Sequence, residues 1–340
     1  MGDQEQKGIV CVTGGTGYIG SWLIMRLLQH GYTVRTTIRP DHDPTASEGI
    51  KKKRDISFLT NLPRASEKLE IYHADLNQPE SFSAAIEGCS GVFHVAHPVT
   101  IVDEESEEVL TKRCLDAALG ILKACIASKT VKRVVYTSSS AAISVLNDET
   151  GQQVADESSW SDVDWYRSQK RMGISYVAAK TKTEKAMFEF GEKFGLDIIT
   201  LNPSLVLGPF ICPTLPGSVA MGLTMILGDT YNIYKYLLRT NMVHIEDVVS
   251  AHIFLYENTS AKGRYICSSD ELSLIGMSEF LSERYPNFQI PKKESLEGIE
   301  GYKIIALSSK KLLDSGFKFK FGLAHMFDGA IQSCKERNIL

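Results

Sequence analysis

Through residues 1–202 the apolar and polar positions repeat one alternation: short β-branched runs, then longer stretches with apolar residues three and four apart. Residues 8–13 form an unbroken apolar run and read as a buried strand. Residues 21–30 have helical spacing and close on Gly31. Further strands are predicted at 32–38, 68–73, 91–96, 131–137 and 197–201. Helices are predicted at 79–87, 105–128 and 175–194, the first stopped by Gly88 and the last by Gly195. Residues 41–54 are polar, hold Pro44 and Gly49, and read as an exposed loop. Regular alternation of strand and helix predicts an α/β fold, a doubly wound parallel sheet. Beyond Pro203 the pattern loosens, broken by Pro209, Pro213 and Pro216. Shorter helices are predicted near 219–227, 246–257, 278–285 and 322–336. The expected division is a large domain over 1–202 and a smaller C-terminal substrate lobe over 203–340, some of whose segments return to the large domain.

Bulk composition changes this picture little. A chain of 340 residues is more than one core usually holds and short for two independent domains. Its 37 basic and 41 acidic side chains leave a net charge of −4, which argues against nucleic acid as a partner. No apolar run reaches the length of a membrane span, and residues 1–7 lack the apolar stretch of a secretory signal. The seven cysteines are scattered with no CxxC spacing, and no two His or Cys fall at ligand spacing on one element. A reduced cytoplasmic protein without a metal is the expectation.

Candidate chemistry begins between the first strand and first helix, at Thr13-Gly14-Gly15-Thr16-Gly17-Tyr18-Ile19-Gly20. Glycines at 14, 17 and 20 let the backbone turn sharply and approach a pyrophosphate, which would rest on the positive helix N-terminus. Alone such a motif is weak; inside a strand–helix–strand unit it points to a dinucleotide and a Rossmann domain. The second strand ends Thr36-Thr37-Ile38-Arg39, with no carboxylate until Asp41. A carboxylate there would hold a ribose 2′-hydroxyl, whereas Arg39 suits a 2′-phosphate, so NADPH/NADP+ is expected. Lys53, with Lys51, Lys52 and Arg54, could add charge or simply be a solvated helix start. Asp75 and Leu76 would flank the adenine, and Asp75 could equally cap the following helix. Val95, Ala96 and Pro203 complete the expected cofactor contacts.

Tyr176 and Lys180 stand four apart at a predicted helix start, hence on one face. A tyrosine titrates near ~10 in isolation; a neighbouring ammonium and the nicotinamide would pull that down and make Tyr176 a proton donor. Lys180 would also hold the nicotinamide ribose. The pair follows a strand ending Tyr136-Thr137-Ser138-Ser139-Ser140, whose C-terminal edge is where α/β sheets bind ligands. A serine there can polarise a substrate carbonyl. Expected substrate contacts are His97, Ser144, Phe210 and Met221, although packing into the lobe core is the alternative for Phe210, Met221 and especially Met225. His97 could touch substrate, relay a proton or pack. His244 and Asp247 read as structural.

At these residues the chain resembles the extended short-chain dehydrogenase/reductases, and more narrowly the plant dihydroflavonol 4-reductase group, on the side of its vestitone reductases. The likeness includes the glycine motif, residues 36–39, 53–63 and 131–133, and Gly316-Phe317-Lys318-Phe319-Lys320. The resemblance implies that Ser139 is the catalytic serine, that Tyr176 and Lys180 are the catalytic pair, and that NADPH reduces a ketone on a phenolic plant metabolite by a monomeric enzyme. Departures mark the substrate side. The loop before Lys51 is longer than in vestitone reductases. Ser144 stands where dihydroflavonol 4-reductases place a ring-contacting Asn, and His97 where relatives carry Thr or Ser. Ser175-Tyr176-Val177, residues 209–211 and 266–269 also resemble alkaloid-oxidising members, which leaves oxidation of a hemiacetal or alcohol open. A cofactor-binding protein without chemistry is a third alternative.

Overall fold

Seven of the apolar runs lie side by side in one parallel sheet. The structure, a computed structural model, describes residues 7–40, 55–98, 106–147, 153–229, 233–301 and 305–340. In chain order the strands are β1 (Ile9–Thr13), β2 (Thr33–Ile38), β3 (Leu69–His73), β4 (Gly91–His94), β5 (Arg133–Thr137), β6 (Val154–Ala155), β7 (Asp197–Pro203), β8 (Leu205–Leu207), β9 (Arg239–His244), β10 (Gly263–Cys267), β11 (Asp270–Ser273) and β12 (Ala306–Leu307). The large sheet runs β10-β7-β5-β4-β1-β2-β3. Its order reverses between β1 and β4, which opens a crevice at the carboxyl ends of those strands. All six strands expected in the first 202 residues are present, within a few residues of their predicted bounds.

The two faces of the sheet follow the period of two along each strand. Val10 and Val12 of β1, Val135 of β5, and Ile199 and Leu201 of β7 face the helices Tyr18–Gln29 and Ile245–Glu257. Their neighbours Cys11, Val134, Tyr136 and Ile198 face the helices Glu107–Ser128 and Ile174–Phe194. Buried on both sides, these strands read as continuous apolar runs rather than alternating ones. The Tyr18–Gln29 helix buries Leu23, Ile24, Leu27 and Leu28 on one stripe. Each such side chain contributes about 1.5–3 kcal/mol when taken from water.

The seventh strand, β10, went unread in the sequence because Arg264 interrupts a short apolar run. Its guanidinium is buried in an ion pair with Glu184, so the position is interior despite its charge. The later half thus returns to the large sheet through β10, and the Ile245–Glu257 helix packs on the Tyr18–Gln29 helix. What remains forms a second core around Leu207, Phe210, Val219, Met225, Met277 and Phe327. Here β8 pairs parallel with β9, and β11 pairs antiparallel with it. The helix expected over 219–227 is instead two, Gly217–Gly222 and Thr224–Leu227, divided at Leu223. Gly222 is pressed so close to Leu207 that a Cβ there would lie 2.2 Å from its side chain. Among the described residues no helix is long and apolar enough to cross a membrane, and no three His, Cys, Asp or Glu gather as metal ligands. All seven cysteines are free and buried.

Candidate active site

The glycine loop crosses the mouth of the crevice and is tied to β2. Gly14 donates to the Thr37 hydroxyl at 3.3 Å, and Gly15 donates to the Thr37 carbonyl at 3.0 Å. Gly14 has φ +77°, and a Cβ there would meet the Ala96 backbone at 2.9 Å. At Gly20 a Cβ would sit 2.2 Å from the Gly14 carbonyl oxygen, so helix and loop can touch only without a side chain. Gly17 is exposed and caps the Tyr18–Gln29 helix, which has no side-chain cap and no acidic residue in its first turn. A bare, positive helix end beside open backbone is what a pyrophosphate requires, so these residues fit a dinucleotide. Ile19 packs against the core, while Tyr18 donates its hydroxyl to Gly208 at 3.1 Å and ties the loop to the lobe. Gly20→Ala is expected to lower dinucleotide affinity by about tenfold or more, or to destabilise the fold by about 2 kcal/mol, since backbone must move. Fluorescence titration with NADPH alongside a melting curve measures both; a variant unchanged in each contradicts the close approach.

Arg39 follows β2 directly and is exposed. Lys53, like Lys51, Lys52 and Arg54, lies outside the described residues. Asp75 does not cap the next helix. Its carboxylate instead accepts the Asn77 backbone N–H at 2.9 Å, a local turn, and the short 3-10 helix Pro79–Phe82 starts without a side-chain cap. Leu76 is half-buried beside it. Val95 and Ala96 both donate backbone N–H groups to Thr13 Oγ1 at 3.0 Å. With both lone pairs taken, the Thr13 hydroxyl donates to His94 Nδ1 at 2.9 Å. Burial pulls His94 down to about 3, so it stays neutral. Pro203 is buried at the end of β7.

The fold brings Ser139, Tyr176, Lys180 and His97 together at the β5 edge. Ser139 is half-buried just past β5, its hydroxyl accepting the Ala141 N–H at 3.1 Å. Gly173, at φ +85°, turns the chain into the Ile174–Phe194 helix, which carries Tyr176 and Lys180. Lys180 is 3% exposed and donates to the Thr137 carbonyl at 2.9 Å. Burial pulls its pKa down to about 7, against the upward pull of Cys114 and then Glu184. Tyr176 differs from expectation in this arrangement. Burial raises its pKa, and the opposing influence is a hydrogen bond with Ser139 rather than the ammonium. One of the three Lys180 N–H donors goes to Thr137, and its nitrogen stands 5.9 Å from the centre of the tyrosine ring. His97 meets that ring edge-on at 5.5 Å between centroids. Its Nδ1 lies 2.6 Å from the Pro98 carbonyl, and burial holds it well below its usual pKa, so it is neutral.

Of the expected substrate contacts, His97 adjoins Tyr176, and Ser144 is half-buried just after the Ser140–Ala142 turn. Met221 is half-buried against the lobe core. Phe210 is corrected: it is 2% exposed, packed in that core, edge-on to Tyr18 and covered by Arg337. Met225 is likewise core. His244 caps the Ile245–Glu257 helix, and Asp247 accepts the Lys320 and Phe321 N–H groups, both holding the fold together. Sequence reasoning missed Glu184, Asn202 and Arg264, which gather behind Ser139. A charged residue interrupting an otherwise apolar strand was the available signal.

A glycine-built dinucleotide cradle at the switch point of a parallel sheet, with a Tyr-Lys pair facing a strand-end serine, defines a dinucleotide-dependent oxidoreductase. The chain belongs to the NAD dependent epimerase/dehydratase family, whose pattern matches residues 10–267, and within it to the short-chain dehydrogenase/reductases of the dihydroflavonol 4-reductase and vestitone reductase group. It is 50% identical to vestitone reductase of Medicago sativa over 336 residues, 99% of each chain. The crystal structure of the alfalfa vestitone reductase superposes with a TM-score of 0.84 at 49% identity, covering 98% of this chain and all of that one. Protein BRI1-5 ENHANCED 1 of Arabidopsis thaliana is 52% identical over 99% of this chain and 91% of its own. Dihydroflavonol 4-reductase of the same plant is 43% identical over 99% and 85%.

Proposed function

We propose that this protein reduces a ketone on a phenolic plant metabolite, of the isoflavonoid or dihydroflavonol type, to the alcohol with NADPH. The observation that carries the reading is the meeting of Ser139, Tyr176 and Lys180 at the crevice. NADPH, held by the Gly14–Gly20 loop, would supply the hydride. Ser139 donates a hydrogen bond to the substrate oxygen and fixes its place. Tyr176, whose raised pKa keeps its hydroxyl protonated at neutral pH, passes that proton to the oxygen as negative charge develops there. Lys180 would hold the ribose hydroxyls of the bound cofactor, and gains its full charge as pH falls through about 7. His97, neutral and edge-on to Tyr176, bounds the substrate side. Residues 1–202 supply cofactor and catalytic groups, and much of 203–340 shapes the pocket. A cytoplasmic monomer acting on a small molecule is part of the same proposal.

The test is a turnover screen over isoflavanones, dihydroflavonols and benzylisoquinoline alkaloids, run with NADPH and with NADP+. Ketone reduction on a flavonoid-type compound supports the proposal. Turnover confined to alkaloid oxidation, or NADPH binding without turnover on any compound, replaces it.

NADPH over NADH rests on Arg39. Exposed at the end of β2 and followed in sequence by no carboxylate until Asp41, it can pair with a 2′-phosphate. Arg39→Asp removes that partner and adds like charge, so the ratio of kcat/KM for NADPH over NADH is expected to fall by about 100-fold. An unchanged ratio assigns the preference to some other residue.

A further inference from the structure

Glu184 is fully buried one turn beyond Lys180, yet the chemistry above makes no use of it. Its carboxylate collects donors from three strands. Ser138 reaches it at 2.7 Å from the end of β5, Thr200 at 2.6 Å and Asn202 at 2.9 Å from β7, and Arg264 at 2.9 Å from β10. A buried carboxylate is tolerated only when its lone pairs are filled, and filling them from several elements leaves one arrangement of those elements.

Three of these four anchors bear on Ser139. Ser138 precedes it in the chain. Asn202 donates from the same amide nitrogen to the Ser139 carbonyl at 3.2 Å. Arg264 reaches past the carboxylate to the Ala142 carbonyl at 3.3 Å, closing the turn that Ser139 begins. It also binds the Glu157 carbonyl at 3.0 Å and that of Ser159, and stands over the Trp160 ring, 3.6 Å from its centre. The backbone before, at and after Ser139 is therefore held by groups that all meet one carboxylate.

We propose that Glu184 and Asn202 are positioning residues: through a buried hub they set where the Ser139 hydroxyl stands relative to Tyr176. The inference rests on the reading of Ser139 as the donor to the substrate carbonyl. A displacement of about 1 Å at such a donor costs on the order of 100-fold in rate.

Asn202 is the place to test it, because Asn202→Ala cuts the tether without stranding the charge of Arg264. Asn202→Ala, Ser139→Ala and the double variant are compared with wild type in the full-length chain. The readouts are kcat and KM on the best ketone of the screen and the NADPH dissociation constant by fluorescence. Asn202→Ala is expected to lower kcat by about 10–100-fold, with KM and NADPH affinity changed by less than about threefold. The double variant is expected to be no slower than Ser139→Ala alone, because both changes remove the same contribution. If the two losses multiply, or if Asn202→Ala turns over at the wild-type rate, the positioning role is overturned. Ser139→Ala at the wild-type rate is a separate result: it removes the reading of Ser139 and the inference with it. Should Asn202→Ala fail to fold, Ser138→Ala enters the same cycle with the same expectations.

Discussion

Tyr176→Phe is expected to lower kcat for ketone reduction by roughly 10²–10⁴-fold while leaving the NADPH dissociation constant almost unchanged. The substitution deletes one hydroxyl. The ring remains, and with it the edge-on contact to His97 at 5.5 Å and the packing of a half-buried side chain. What disappears is the proton that must reach the substrate oxygen, together with the hydrogen bond to Ser139. A phenyl group supplies neither. Lys180 donates to the Thr137 carbonyl, and His97 and His94 are neutral with pKa values held far below their usual range. Stopped-flow measurement of NADPH oxidation with a competent ketone, alongside a fluorescence titration of NADPH, separates the two quantities. Turnover within about tenfold of wild type would falsify the assignment of Tyr176 as proton donor. Equal losses in turnover and cofactor affinity would mean that the residue shapes the cofactor site instead.

Lys180→Met is expected to do two opposite things: lower turnover by roughly 100-fold or more, and stabilise the cofactor-free protein. The amine is 3% exposed, and burial brings its pKa from 10.5 to about 7. That difference corresponds to about 5 kcal/mol of cost when the folded protein must carry the charge. Methionine is close in length and pays no such cost. It does lose the hydrogen bond to the Thr137 carbonyl, which takes back about 1–3 kcal/mol. A net gain of about 2–4 kcal/mol is therefore expected near pH 6. The pH dependence has a definite sign. In the unfolded chain the amine keeps its proton until about pH 10.5, whereas in the folded protein it releases it near 7. Between those values the unfolded state binds more protons, so this group makes wild-type stability rise with pH. The advantage of the methionine variant is largest below pH 7 and closes toward pH 10.5. Denaturant unfolding of both proteins at pH 6 and pH 9 measures it. A variant less stable than wild type at pH 6 shows that Lys180 is not held against its own hydration.

These two residues also show how far the chain could be read unaided. Their spacing of four made one helix face, and the run before Ser139 made a strand end, so the pairing of the two was legible. The direction of the electrostatics was not. Adjacent numbering suggests an ammonium that lowers the tyrosine pKa; in the folded chain Lys180 turns to Thr137, and burial raises Tyr176 instead. Desolvation depends on everything that packs around a group, and most of that lies far away in sequence. Phe210 failed for the same reason. An apolar residue in a Pro-rich segment suits either a pocket wall or a core, and only the surrounding lobe decides.

The sequence by itself determined the alternation of strand and helix, the glycine loop between the first strand and the first helix, and the spacing that puts Tyr176 and Lys180 on one helix face. All of these are local: each depends on residues within a few positions, where periodicity and backbone sterics operate. The tertiary structure alone decided that β10 joins the large sheet, and that Glu184 meets Asn202 and Arg264 behind Ser139. Those contacts join residues 18 to 80 positions apart. A buried carboxylate chooses its partners by where the strands place donors, and strand neighbours are set by closure of the whole sheet rather than by any local run.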